Sequence, residues 1–182
     1  VEKPRQMDKE TDLEMSVRIN GIARIQLTVK DGERCLPFWE RFFNFMEMEY
    51  LIKGEDVVYC IGGRTGILVR QAPRDQASGR FDQDRAGLHH FCFRARSRED
   101  VEAVQEFIEA EPDATVVHGP EEGGHFASGY YSILFADPDG IRVEVNHIPG
   151  KGHFGSDGQL GGSRGPRDSY YSASDFHGPV SY

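Results

Sequence analysis

The sequence predicts an α+β protein built from two tandem β-α-β-β-β modules. Three observations predict it. Stretches of period-two alternation recur in the same order around one segment of helical periodicity in each half of the chain. Strands that alternate with single helices would suggest a parallel sheet. Here, however, consecutive strands are joined by Gly62-Gly63 and by Asp137-Pro138-Asp139-Gly140, turns too short for a crossover, so antiparallel pairs are required.

The first strand is read at 22–29. Ile25, Leu27 and Val29 share one face, and Arg24, Gln26 and Thr28 the other. Asp31-Gly32 supplies a turn and an N-cap. Leu36, Trp39, Phe42 and Phe43 then recur at helical spacing with charges between them, and Pro37 is placed near the first turn, where proline is tolerated. Trp39 falls on the core side. A short strand is expected at 49–52, and further strands at 57–61 and 66–71. Residues 74–86 are polar and Gly-containing, and read as a linker or mobile loop.

The order then repeats. A strand is expected at 88–95. Ser97-Arg98-Glu99-Asp100 resembles a capping box, and Val101, Val104, Phe107 and Ile108 give the next helix its apolar face. Strands follow at 115–117, 130–136 and 141–146. Residues 1–18 read as a flexible leader, 19–149 as the domain (modules about 19–73 and 87–149), and 150–182 as a Gly-, Ser- and Tyr-rich tail. By composition the tail is disordered. Its aromatics, Phe154, Tyr170, Tyr171, Phe176 and Tyr182, also suit docking on the domain or on a partner subunit.

Composition narrows the function. The chain has 182 residues, 38% hydrophobic and 28% charged, which is a globular balance. A net charge of -9 disfavours nonspecific nucleic-acid binding, which depends on neutralising phosphates. No apolar run approaches the roughly 18 residues of a membrane span. Cys35, Cys60 and Cys92 show no CxxC spacing, so reduced thiols in a cytoplasmic protein are expected, and a zinc ribbon is excluded. Cys92 reads as a buried structural thiol.

Candidate chemistry gathers in the second half. His90 lies on one strand, Glu144 on another, and His125 in a Gly-rich loop between them. Small β-rich domains build metal or substrate cups from such sets. Tyr130 and Tyr131 alternate on a strand, so one of them faces the cavity.

The chain resembles the vicinal oxygen chelate superfamily, which includes glyoxalase I, the extradiol dioxygenases and the fosfomycin- and bleomycin-resistance proteins. The matching pieces are Ile25-Gln26-Leu27-Thr28-Val29-Lys30-Asp31, the helix with Phe38-Trp39, Gly87-Leu88-His89-His90-Phe91-Cys92-Phe93, and Asp137-Pro138-Asp139-Gly140-Ile141-Arg142-Val143-Glu144. The resemblance implies curved sheets, partly closed around a central cavity, with metal ligands on the first and last strand of each module. His90 and Glu144 match two ligand positions. Arg24 and Arg70 fall on the other two, and a guanidinium cannot ligate a metal. Glyoxalase I needs the full set, so that activity is not expected. His89 is set aside as a ligand because adjacent strand residues point to opposite faces. Gln26 shares the face of Arg24. The dioxygenase signature fits at Gly123-Gly124-His125, Asp137-Pro138-Asp139-Gly140 and Glu144, but Leu134 stands at its acid/base tyrosine.

Two functions follow from the resemblance. In the first, the protein acts on a small, oxygenated, anionic molecule by metal-assisted lyase, isomerase or dioxygenase chemistry. His90 and Glu144 would hold Mn, Fe, Zn or Ni, Glu144 and His125 would be catalytic, and Arg24, Gln26, Arg70 and Tyr130 would bind substrate. In the second, it is a metal-free protein that sequesters a small molecule. A homodimer is expected in both, with the tail a candidate assembly element.

Overall fold

The structure, a computed structural model, describes residues 19, 21–77, 79, 81–124 and 129–149. The leader, the tail and His125 lie outside the described residues. Ten elements follow one another: β1 (Arg24–Val29), α1 (Gly32–Phe45), β2 (Glu49–Lys53), β3 (Val57–Gly62), β4 (Thr65–Gln71), β5 (Phe91–Arg94), α2 (Arg98–Ala110), β6 (Thr115–Glu122), β7 (Tyr131–Ala136) and β8 (Arg142–His147). They form two four-stranded sheets ordered β1-β4-β3-β2 and β5-β8-β7-β6. In each sheet the first strand runs parallel to the last, and the other pairs are antiparallel. The expected duplication is therefore present. Each sheet keeps two edges, and no closed barrel forms.

Alternation decides which face is covered. In the first sheet Leu27, Val29, Val58, Cys60, Ile67 and Val69 are buried beneath α1, whereas Gln26, Tyr59 and Leu68 pair across the opposite, open face. In the second sheet Phe91, Ile133, Phe135, Val143 and Val145 are buried on the helix side. Cys92, Leu134 and Glu144 pair across its open face.

Both helices start where the sequence says. Asp31 caps α1 by accepting from the Arg34 backbone N–H, and Ser97 and Asp100 form a reciprocal capping box on α2. Three boundaries differ from expectation. Pro37 sits in the second turn of α1, so the helix gives up an internal hydrogen bond there. β6 continues past Pro120 to Glu122, because it is an edge strand and a missing N–H can face outward. β5 begins only at Phe91 rather than at residue 88, and Gly87, four residues before it, has φ +153°.

The modules share one core. Helix α1 packs on its own sheet and also on the second. Trp39 stacks on Phe91 with centroids 6.3 Å apart, and Phe42 lies 5.2 Å from Phe135 and 5.7 Å from Phe107 of α2. Trp39, Phe42 and Phe135 are fully buried. Truncating such a ring to Ala costs about 3–5 kcal/mol. Outside the core, Arg41 clasps Glu111 with two hydrogen bonds, tying α1 to the end of α2.

The Asp137-Pro138-Asp139-Gly140 turn completes the join. Oδ2 of Asp137 accepts from Trp39 Nε1 at 2.9 Å, and Oδ1 accepts from the backbone N–H of Asp139 and Ile141. The Asp139 carboxylate accepts from the backbone N–H of Lys30 and Asp31 at the entrance to α1. A motif that first suggested chemistry is a clamp between the modules.

Candidate functional site

The second open face is organised by β8. Val143 and Val145 point into the core, which leaves Arg142, Glu144 and Asn146 on the other side. Glu144 is the centre of a polar cluster, its side chain only 14% exposed. Its Oε2 lies 3.2 Å from His90 Nε2, and its Oε1 accepts from the Tyr130 hydroxyl at 2.5 Å. Asn146 Nδ2 donates to the Tyr130 oxygen at 2.9 Å. Burial pushes the Glu144 carboxyl up, but hydrogen bonds from His90, Tyr130 and Ser132 outweigh it and leave the group below its ordinary value. Burial pushes the Tyr130 phenol up; Asn146 opposes this and Glu144 adds to it, so Tyr130 stays protonated and donates.

His89 belongs to the cluster, contrary to expectation. Residues 87–90 precede β5 and have no strand alternation to turn His89 away. Its Nδ1 lies 2.7 Å from Nδ1 of His90. With the His90 Nε2–H directed at Glu144, the His90 Nδ1 lone pair accepts from the Nδ1–H of His89. Burial first, then the neighbouring His90 and Arg142, hold His89 below the ordinary histidine range. The arrangement is a line of hydrogen bonds, His89 to His90 to Glu144, with Tyr130 entering from the other side.

Other candidates fall elsewhere. Arg24, Gln26 and Arg70 share the open face of the first sheet, and all three are exposed. The Arg24 guanidinium sits 5.9 Å from the centre of the Tyr59 ring. Gly66 makes room for that ring: a Cβ there would come within 2.6 Å of Tyr59. Tyr131 faces α2, with Arg98 over its ring. Cys92 pairs with Glu144 in register but is exposed, not buried, and its thiol donates to the Phe93 carbonyl. Leu134 stands opposite Glu144, and Tyr130 reaches the carboxylate from the position just before β7 instead. Asn146 and Ser132 were not anticipated, although the alternation on β8 pointed to Asn146.

A divalent metal is a poor match for these residues. Among the described residues no three His, Cys, Asp or Glu side chains converge to hold one. Both Glu144 oxygens are already engaged, and arginines stand at the positions that would complete the expected ligand set.

These features define an α+β protein of paired modules with a polar cluster on one open sheet face. The profile of the Glyoxalase/Bleomycin resistance protein/Dioxygenase superfamily matches residues 21–145, and the chain belongs to that superfamily. It is 27% identical over 123 residues to the uncharacterized protein YqjT of Bacillus subtilis (strain 168), covering 66% of this chain and 94% of that one. Solved structures share the fold. A protein from Bacillus halodurans, provisionally assigned as a glyoxalase, superposes with a TM-score of 0.63 at 21% identity, covering 71% of this chain and 96% of its own. A glyoxalase/bleomycin resistance protein from Albidiferax ferrireducens gives 0.56 at 15% identity, with 70% and 98% covered. No helix among the described residues is long and apolar enough to cross a membrane.

Proposed function

We propose that this protein binds a small, oxygenated, anionic molecule at the open face of its second sheet and exchanges a proton on it without a metal ion. The observation that carries this reading is the state of Glu144. It is a nearly buried carboxylate held ionised by His90 and Tyr130, and no third metal donor converges on it among the described residues. Such a group is ionised at neutral pH, and it becomes a stronger base once His90 and Tyr130 leave it for the substrate, because the hydrogen bonds that hold its value down are then withdrawn. Glu144 accepts the proton leaving carbon. The His90 N–H and Tyr130 O–H then turn to the oxygen that gains charge, and His89 holds the His90 tautomer.

The test is solvent deuterium exchange into the methylene group of phenylpyruvate, a carboxylate beside an enolisable carbonyl, followed by NMR. The full chain is expected to exceed the buffer rate and to be unaffected by chelator. Glu144→Gln is expected to lower the rate at least about a hundredfold. Because the Glu144 carboxyl sits below its ordinary value, the rate should fall only in acid and stay level from pH 6 to 8. Stoichiometric Mn, Fe, Zn or Ni that disappears in His90→Ala and whose removal stops exchange would replace this reading with the metal-assisted one. An exchange rate equal to buffer would overturn it.

A further inference from the structure

A cavity of about 700 Å³ opens at the end of the second sheet, where β6 and β8 begin and β7 ends. Phe81, Asp82, Gln83 and Arg85 wall it, so part of the segment that read as a linker or mobile loop frames a compartment. Its volume lies within the roughly 300–1,000 Å³ of small-molecule sites and is far more than an inorganic anion needs. Its lining is mostly polar, with Phe81, Val117 and Pro138 supplying the apolar part. Two lining arginines are held at the rim, Arg34 by Asp113 at 2.8 Å and Arg85 by Asp82 at 3.1 Å.

Arg142 comes from the sheet itself. It lines the cavity, is partly buried, and projects from β8 on the same face as Glu144, two residues away. Its charge also reaches the neighbouring cluster, where it helps lower His89. A molecule gripped at Arg142 therefore lies beside the His90–Glu144–Tyr130 cluster. Guanidinium is the side chain best matched to a carboxylate, which it meets with two parallel N–H donors.

We propose that this cavity is the binding compartment, that Arg142 anchors the ligand's carboxylate, and that the ligand carries a compact apolar body seated against Phe81 and Val117. The inference rests on the proposed function for the position of the reacting atoms, and on the cavity alone for the place of binding. Arg24 and Arg70, on the other sheet's face, are then not the anchors.

Calorimetric titration of the full chain with phenylpyruvate at pH 7 tests it. One-to-one binding is expected. Arg142→Gln should weaken it at least about tenfold. Val117→Trp should do the same by filling the cavity, which gives an independent result if Arg142→Gln loses its fold by circular dichroism. Arg24→Gln with Arg70→Gln should leave affinity within about threefold. Absence of binding, or binding that survives Val117→Trp and a folded Arg142→Gln, would overturn the inference. If binding follows the cavity variants while deuterium exchange fails, the compartment stands and the proton-transfer reading falls. If exchange depends on Glu144 but binding depends on Arg24 and Arg70, the reverse holds.

Discussion

Glu144 shows how one residue can be legible in identity and opaque in role. The alternation on β8 and the Gly140 turn located it in the sequence, but its state is set by partners on other elements. Removing Tyr130 as a donor strips one of those partners. Tyr130→Phe is expected to cost about 1–3 kcal/mol at pH 7, measured by urea unfolding. Glu144 also has a pH signature. Its folded value lies below the unfolded one, so it contributes stability above the unfolded carboxylate range and loses it as pH falls through the folded value. Glu144→Gln should flatten that acid limb; an acid limb unchanged from wild type would contradict the hydrogen-bonded carboxylate. His89 departs furthest from expectation, because strand alternation does not govern a segment that precedes β5.

Elements were legible where local chemistry decides them. The caps at Asp31 and Ser97 fix both helix starts, and apolar spacing fixes the buried faces. β6 was read too short because Pro120 suggests an end, and only the strand order reveals that this is an edge where proline is harmless. The same strand holds a glycine that has no substitute. Gly119 has φ +93°, and a Cβ there would run into the Ser132 backbone carbonyl of β7. Gly119→Ala should destabilise by clearly more than about 1 kcal/mol. Gly66→Ala should cost less, because the ring it meets belongs to a side chain on an open face that can swing aside. Thermal unfolding of the two variants side by side checks the order.

At the scale of the whole molecule, the duplication was readable but the way its halves meet was not. Nothing in a periodic pattern tells that Trp39 will find Asp137, 98 positions away, or that Phe42 will cover the second sheet. The two modules are repeats in order only; energetically they are one body, because α1 shields Phe91, Phe93 and Phe135. A fragment of residues 87–149 alone should therefore lack the dispersed amide NMR spectrum of a folded domain. A well-dispersed spectrum would show that the second half stands without α1.

The bond between Trp39 and Asp137 has an optical consequence. Trp39 is the protein's one tryptophan, so its emission comes from a single indole at the seam of the two halves. Burial first raises the Asp137 carboxyl to about 6, even though the Trp39 N–H and two backbone N–H groups draw it down. Protonation near that pH changes the charge beside the indole while the chain is still folded. Emission should accordingly step between pH 5 and 7, well before acid unfolding, and Asp137→Asn should abolish the step. The seam thus carries its own fluorophore, and its docking can be followed without a label.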